Sequence, residues 1–168
     1  MADLKGKKAF VTGGSRGIGA AIASQLASEG ADVAITYSKS AETAHQVVSE
    51  IKQYGVNGVA IQADAMQAES VAAAVKEAIR QFGGLDILVN NAGIFELKSV
   101  SETTLEDFDR MMQVNVRAVF AAVCEAVKVM GEGGRIITIG SVFGDVMPFT
   151  GGSLYAMSKG AVAAMSQG

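Results

Sequence analysis

Thr12-Gly13-Gly14-Ser15-Arg16-Gly17-Ile18-Gly19 decides how the rest of this 168-residue chain is read. The turn follows Lys8–Thr12, a run with strand character, and precedes Ala20, Ile22, Ala23 and Leu26, which keep helical period. Strand, glycine turn and helix in that order are the setting in which a backbone cradles phosphate. Side chains would hold the backbone away from a pyrophosphate, whereas a helix N-terminus offers unpaired N–H groups at the positive end of its dipole. The spacing is Gly-x-x-x-Gly-x-Gly rather than Gly-x-Gly-x-x-Gly, and taken alone such a turn serves equally as a tight strand-to-helix connection.

Outward from the turn, short β-branched runs alternate with longer helical stretches. Strands are expected at Lys8–Thr12, Asp32–Tyr37, Gly58–Gln62, Asp86–Asn90 and Arg135–Gly140. Helices are expected at Gly17–Glu29, Ala41–Tyr54, Ala68–Phe82, Leu105–Met130 and from about Ser153. This rhythm specifies parallel strands joined by helical crossovers, and several strands lack polar alternation because helices cover both sheet faces. The expected fold is a doubly wound α/β sheet of the Rossmann type, with strand order 3-2-1-4-5. No linker or repeat divides it, so residues 1–168 read as one dinucleotide-binding and catalytic domain. The last helix stops in mid-pattern, which reads as a domain incomplete at its C-terminus with its later strands missing.

Composition narrows the class. Twenty glycines against one proline, with 49% hydrophobic residues, suit a globular chain with many tight turns. Net charge is −3 and the basic residues are scattered, so no nucleic-acid partner is expected. Met1–Lys8 carries four charges and no apolar run, and no later stretch reaches membrane-spanning length, so a soluble, cytoplasmic protein without membrane contact is expected. Cys124, the only cysteine, reads as a small buried apolar residue. His45, the only histidine, reads as a solvated surface residue, and no metal site is expected.

The glycine turn resembles the Thr-Gly-x-x-x-Gly-x-Gly fingerprint of the short-chain dehydrogenase/reductase family, and the resemblance continues through Asp64, Asn90-Asn91-Ala92-Gly93, Asn115, Ser141, and Tyr155 with Lys159. Within that family the chain resembles bacterial 3-oxoacyl-(acyl-carrier-protein) reductases and related ketoreductases. The resemblance implies an oxidoreductase that moves hydride between a nicotinamide and a small carbonyl or alcohol substrate, such as a 3-oxoacyl or similar ketone.

Cofactor choice is read at the end of the second strand. An NAD site places a carboxylate there for the ribose 2′-OH, but the segment here is Tyr37-Ser38-Lys39. Arg16 and Lys39 are suited to pairing with a 2′-phosphate, so NADP(H) is expected, although each taken singly is an ordinary surface cation. Expected cofactor contacts are Gly13, Ser15, Arg16, Gly17, Ile18 and Gly19 in the turn, then Tyr37, Ser38 and Lys39. The resemblance adds Asp64 and Ala65 at the adenine, and Asn91, Ala92 and Gly93 beside the ribose. It also gives Asn91 the task of tying neighbouring strands together. The plain alternative for Asp64 is an N-cap-like residue ahead of the helix at Ala68.

Tyr155 and Lys159 are four apart on one helix face and meet the same ligand. A free phenol is a poor base at neutral pH, and a nearby ammonium favours its phenolate. Tyr155 is therefore the expected proton donor in reduction, with Lys159 tuning it and holding the ribose. Ser141 is expected to hydrogen-bond the substrate carbonyl. Asn115 resembles the family residue that holds a water connecting Lys159 to solvent. Fourteen positions separate Ser141 from Tyr155, one more than the resemblance leads one to expect, through the loop Gly144–Phe149. Met147, Phe149 and Phe95 are candidates for an apolar substrate wall.

Val114, Val116, Val119, Phe120, Val123 and Val127 make one helix apolar around much of its circumference, and a homodimer or homotetramer joined there and through the last helix would bury it. An exposed fifth strand is a competing route to association. Two other readings stay open: a non-catalytic nucleotide- or cyclic-dinucleotide-binding regulator on the same fold, and a structural subunit that stabilises an active homologue. The joint presence of Ser141, Tyr155 and Lys159 separates them from an enzyme, since a pure binder has no use for an activated phenol.

Overall fold

Apolar and β-branched side chains at Lys8–Val11 (β1), Asp32–Tyr37 (β2), Gly58–Gln62 (β3), Ile87–Asn90 (β4) and Arg135–Thr138 (β5) form one parallel sheet of order β3-β2-β1-β4-β5. The structure is a computed structural model and describes residues 3–168. The observed strand order is the expected 3-2-1-4-5.

Successive residues of a strand face opposite sides of the sheet, and the core divides accordingly. Ala9, Val11, Val33, Ile35 and Val89 pack beneath helices Gly17–Ser28 (α1) and Ala41–Gln53 (α2). Phe10, Ala34 and Leu88 face the other layer, built by Ala68–Phe82 (α3) and Ala118–Ala126 (α5). Successive strands are added towards one edge up to β3 and towards the other from β4, so the carboxyl ends of β1 and β4 border the crevice where doubly wound sheets take ligands.

The expected helix Leu105–Met130 differs most from the structure. It comprises α4 (Leu105–Met112), a π-helical turn (Gln113–Arg117) and α5, which ends at Ala126. A capping box starts α4: Thr104 Oγ1 accepts the Asp107 N–H at 3.2 Å, and Asp107 Oδ2 accepts the Thr104 N–H at 3.0 Å. Buried residues Met111, Val114, Ala118, Ala122 and Ala126 keep spacings of three and four straight through the wider turn, so the sequence period conceals it. Beyond Ala126, Val127 and Val129 are exposed, and Gly131, Gly133 and Gly134 follow, so nothing there supports further helix. The last helix, α6, is Ser153–Met165. Cys124 is half-buried rather than buried, and His45 is exposed. No helix among the described residues is long and apolar enough to cross a membrane.

Candidate active site

The glycine turn is held from both neighbouring strands. From β2, Thr36 Oγ1 accepts the Gly13 N–H at 2.9 Å and its carbonyl accepts the Gly14 N–H at 2.9 Å. From the β4 side, Asn91 Nδ2 donates to the Thr12 and Gly13 carbonyls at 2.9 and 3.1 Å. Thr12 Oγ1 in turn accepts the N–H groups of Asn91 and Ala92, at 2.9 and 3.0 Å. Asn91 thus ties two strand ends together.

Glycine is required at two points here for different reasons. Gly13 has φ +64°, and a Cβ on it would lie 3.1 Å from Ala92 Cα. At Gly19 a Cβ would overlap Asn91 Nδ2 and the Gly13 carbonyl, both parts of the brace just described. The N-cap of α1, Arg16, makes no side-chain capping bond, which leaves the first N–H groups of α1 facing the crevice.

That crevice is a cleft of about 830 Å³. Every expected cofactor residue from Gly13 to Gly93 lines it: the turn (Gly13, Ser15 to Gly19), the β2 end (Tyr37, Ser38, Lys39), Asp64 and Ala65, and Asn91, Ala92 and Gly93. Arg16 and Lys39 are exposed and have no acidic partner among the described residues. Asp64 Oδ1 accepts the Met66 N–H at 3.0 Å, while the N-cap of α3 is Gln67, so Asp64 braces its own turn rather than capping the helix. Sequence reasoning missed Thr12 and Thr36 as braces, and Met66 and Val114 as cleft walls. Thr12 stood in the fingerprint, but for the others nothing local distinguished them from ordinary strand-end and helix residues.

None of the four catalytic candidates lines the cleft itself; two of them, Asn115 and Lys159, stand directly behind Gly93, which does. Lys159 is buried at 8% exposure, and its Nζ donates to the Ile139 carbonyl at 2.7 Å, 5.8 Å from the Tyr155 ring centroid. A Cβ on Gly93 would stand 3.8 Å from that Nζ and 3.2 Å from Asn115 Oδ1, so both side chains back directly onto this cleft residue. Burial pushes the Lys159 ammonium below the ordinary lysine value.

Asn115 lies in the π-helical turn, where Oδ1 accepts the Ile94 N–H at 2.8 Å and Nδ2 donates to the Ile94 carbonyl and to Ser158 Oγ, both at 3.0 Å. Protein acceptors take both amide protons, so a water at this side chain has only the second lone pair of Oδ1. Ser158 is fully buried and donates to the Tyr155 carbonyl at 2.8 Å, linking Asn115 to the helix that carries Tyr155 and Lys159. Ser158 was also missed, although it stands directly before Lys159.

Ser141 follows β5 and caps a short 3₁₀ turn, Val142–Gly144, with Oγ accepting the Phe143 N–H at 3.2 Å. Its hydroxyl proton stays available, and among the described residues no hydrogen bond joins it to Tyr155. Around Tyr155 the aromatic rings stand edge to face: Phe95 at 4.7 Å, and Phe143 at 6.5 Å with Phe149 5.2 Å beyond it. Phe95 and Phe149 are 51% and 41% exposed, so this aromatic cluster is open to solvent on one side. Phe143, not singled out in the sequence, joins Phe149 and Tyr155 in this ring cluster, and Met147 packs on Gly152.

The Phe95 segment is fastened at both sides. Lys98 N–H bonds the Gly151 carbonyl at 2.8 Å, Lys98 Nζ pairs with Asp107 at 2.5 Å, and Glu96 pairs with Arg110. The Lys98 ammonium holds the Asp107 carboxyl well below the usual carboxylate range.

Comparison with known proteins finds the defining pattern of the short chain dehydrogenase family over residues 7–168. An uncharacterized oxidoreductase of Methylorubrum extorquens is 46% identical over 166 residues, which are 99% of this chain and 66% of that protein. A short chain dehydrogenase of Burkholderia cenocepacia, solved in complex with NADP, superposes with TM-score 0.96 at 54% identity, covering 98% of this chain and 67% of the other. A blue fluorescent protein from a metagenomic library, solved with NADPH, gives TM-score 0.95 at 49% identity over 97% of this chain and 67% of its own. The chain therefore spans about two thirds of the length of these relatives.

Proposed function

Because this chain belongs to the short chain dehydrogenase family, we propose that it forms the cofactor-binding and proton-transfer core of an NADP(H)-dependent oxidoreductase interconverting a ketone and an alcohol. One observation carries the reading: Lys159 and Asn115 meet behind Gly93, a wall of the glycine-floored cleft, with Tyr155 one helical turn before Lys159.

The residues fit such a dinucleotide. Gly13 and Gly19 leave bare backbone where a Cβ would collide, and the start of α1 supplies free N–H groups for the pyrophosphate. Arg16 and Lys39, free of acidic partners, suit a further phosphate on the ribose, and no carboxylate stands between Tyr37 and Ser40 to repel it. The solved relatives with NADP and NADPH support this choice.

The reduced nicotinamide supplies a hydride when bound. The chain's own residues manage the oxygen. Ser141 donates its free hydroxyl proton to the carbonyl oxygen in a hydrogen bond, which steadies the negative charge arising there. Tyr155 transfers its phenolic proton to the same oxygen, leaving a phenolate. The Lys159 ammonium, held by the Ile139 carbonyl, offsets that charge from beneath the ring. Phe95, Phe143 and Phe149 accommodate the apolar substituent of the ketone, a 3-oxoacyl or similar compound. Phe120, 57% exposed on α5, supports a homodimer or homotetramer through that helix; Val119 lines the cleft instead and has no part in it.

The test uses the full-length polypeptide. Tyr155→Phe is expected to keep NADPH binding and abolish carbonyl reduction. Arg16→Ala with Lys39→Ala is expected to erase a preference for NADPH over NADH, each charged contact contributing about 1.5–3 kcal/mol. Equal affinity of the unmutated chain for the two cofactors refutes the NADP assignment. Turnover by Tyr155→Phe refutes the proton donor.

A further inference from the structure

Gly144 has a backbone angle outside the left-handed region that favours glycine, so conformation does not explain its missing side chain. Space does. A Cβ on Gly144 would stand 3.0 Å from the Gly160 nitrogen and 3.1 Å from the Lys159 carbonyl carbon. Both are backbone atoms of α6, which no change of rotamer can move aside. The relation is one-sided: a Cβ on Gly160 would meet only the Gly144 carbonyl oxygen, at 3.5 Å, an ordinary contact.

This crossing lies between the reacting groups. Gly144 ends the 3₁₀ turn that Ser141 begins, and its N–H closes that turn on the Ser141 carbonyl at 3.0 Å. On the facing helix the touched residues are Lys159 and its neighbour. Lys159 Nζ also reaches back to Ile139, two residues before Ser141, and Phe143 lies edge-on to the Tyr155 ring. The Ser141 loop is thus drawn to α6 from both flanks, and the Gly144 backbone is the stop against which it rests.

We propose that Gly144 is a positioning residue whose bare backbone sets the distance between the Ser141 hydroxyl and the helix carrying Tyr155 and Lys159. The inference rests on the ketone-reducing reading above, since only that reading gives Ser141 and Tyr155 one shared oxygen. A methyl group at Gly144 forces the loop and α6 apart by a few tenths of an ångström. Two hydrogen-bond donors aimed at one atom tolerate such a shift poorly.

In the full-length polypeptide, Gly144→Ala is expected to lower kcat roughly 10-fold to 100-fold while changing KM for NADPH far less, because the glycine turn and the β2 end that suit its phosphates lie away from the crossing. Gly160→Ala is expected to keep kcat, as only its side of the crossing has room. A second readout is independent of turnover. The sequence has no tryptophan, so near-ultraviolet circular dichroism comes from tyrosine and phenylalanine, and subtracting the Tyr155→Phe spectrum isolates Tyr155. That component is expected to change in Gly144→Ala and to persist in Gly160→Ala. Unchanged kcat in Gly144→Ala, equal losses in the two variants, or loss of NADPH binding or folding in Gly144→Ala each overturn the proposal. An unmutated chain that binds NADPH but reduces no ketone overturns the function instead, and the dichroism still decides whether Gly144 positions Tyr155.

Discussion

Replacing Thr12 by valine conserves shape while removing an acceptor that two backbone donors share. Thr12 is 5% exposed, and its Oγ1 receives the N–H groups of Asn91 and Ala92 at 2.9 and 3.0 Å. Valine fills the same volume, so no cavity term enters. Each orphaned N–H costs about 1–3 kcal/mol when fully buried. Asn91 and Ala92 are half-buried, so the lower end applies and the pair costs about 2–3 kcal/mol. In a chain of this size that lowers Tm by about 4–12 °C. Thr12→Ser keeps the acceptor and loses one methyl group, about 1 kcal/mol. Urea unfolding of the three proteins, followed by far-ultraviolet circular dichroism, separates the two effects. NADPH titration of the same samples is expected to weaken in the valine variant alone, because Asn91 and Ala92 line the cleft. If the valine and serine variants are equally stable, the shared acceptor does not brace the turn, and the account of the cleft floor fails.

The buried Lys159 ammonium carries a pH signature. Its value is pushed below the ordinary 10.5 by burial, so between the folded and unfolded values the unfolded chain binds the extra proton and stability rises with pH. Lys159→Met is expected to remove that rise just below pH 10.5, seen by urea unfolding at stepped pH; an unchanged slope refutes it. Phe120→Glu is expected to shift light scattering from a discrete dimer or tetramer towards monomer without loss of helix content. A chain already monomeric at high concentration rules out the α5 interface.

Much of the fold was legible because one-dimensional signals happened to be strong. Gly13, Gly17 and Gly19 mark the turn by composition, and the runs at Val33–Ile35 and Ile87–Val89 are too apolar for anything but an interior strand. The cleft floor followed, since residues that meet at adjacent strand ends can be placed once the strand order is known. What stayed hidden depends on three-dimensional neighbours. Thr36 looks like any strand threonine until the Gly13 N–H is found on its hydroxyl. Ser158 gains its role only from Asn115, forty-three residues earlier. Phe143 reads as a loop residue until the 3₁₀ turn swings it to Tyr155. The division of Leu105–Met130 was invisible for another reason: a wide turn changes hydrogen bonding without disturbing which residues are apolar.

That wide turn behaves as a one-residue insertion already absorbed into a helix. Each residue of an α-helix advances the side chains by about 100°. Winding Gln113–Arg117 as plain α-helix with the residue count unchanged would improve local hydrogen bonding, yet would swing Ala118, Ala122 and Ala126 about a quarter-turn away from α3. Phe120 would travel with them, and Asn115 would lose its reach to Ile94 and Ser158. The irregular turn is therefore a register key. It lets one continuous rod satisfy two neighbours whose faces are out of phase, the β4 loop before it and α3 after it, and the smoother helix would fit only one of them.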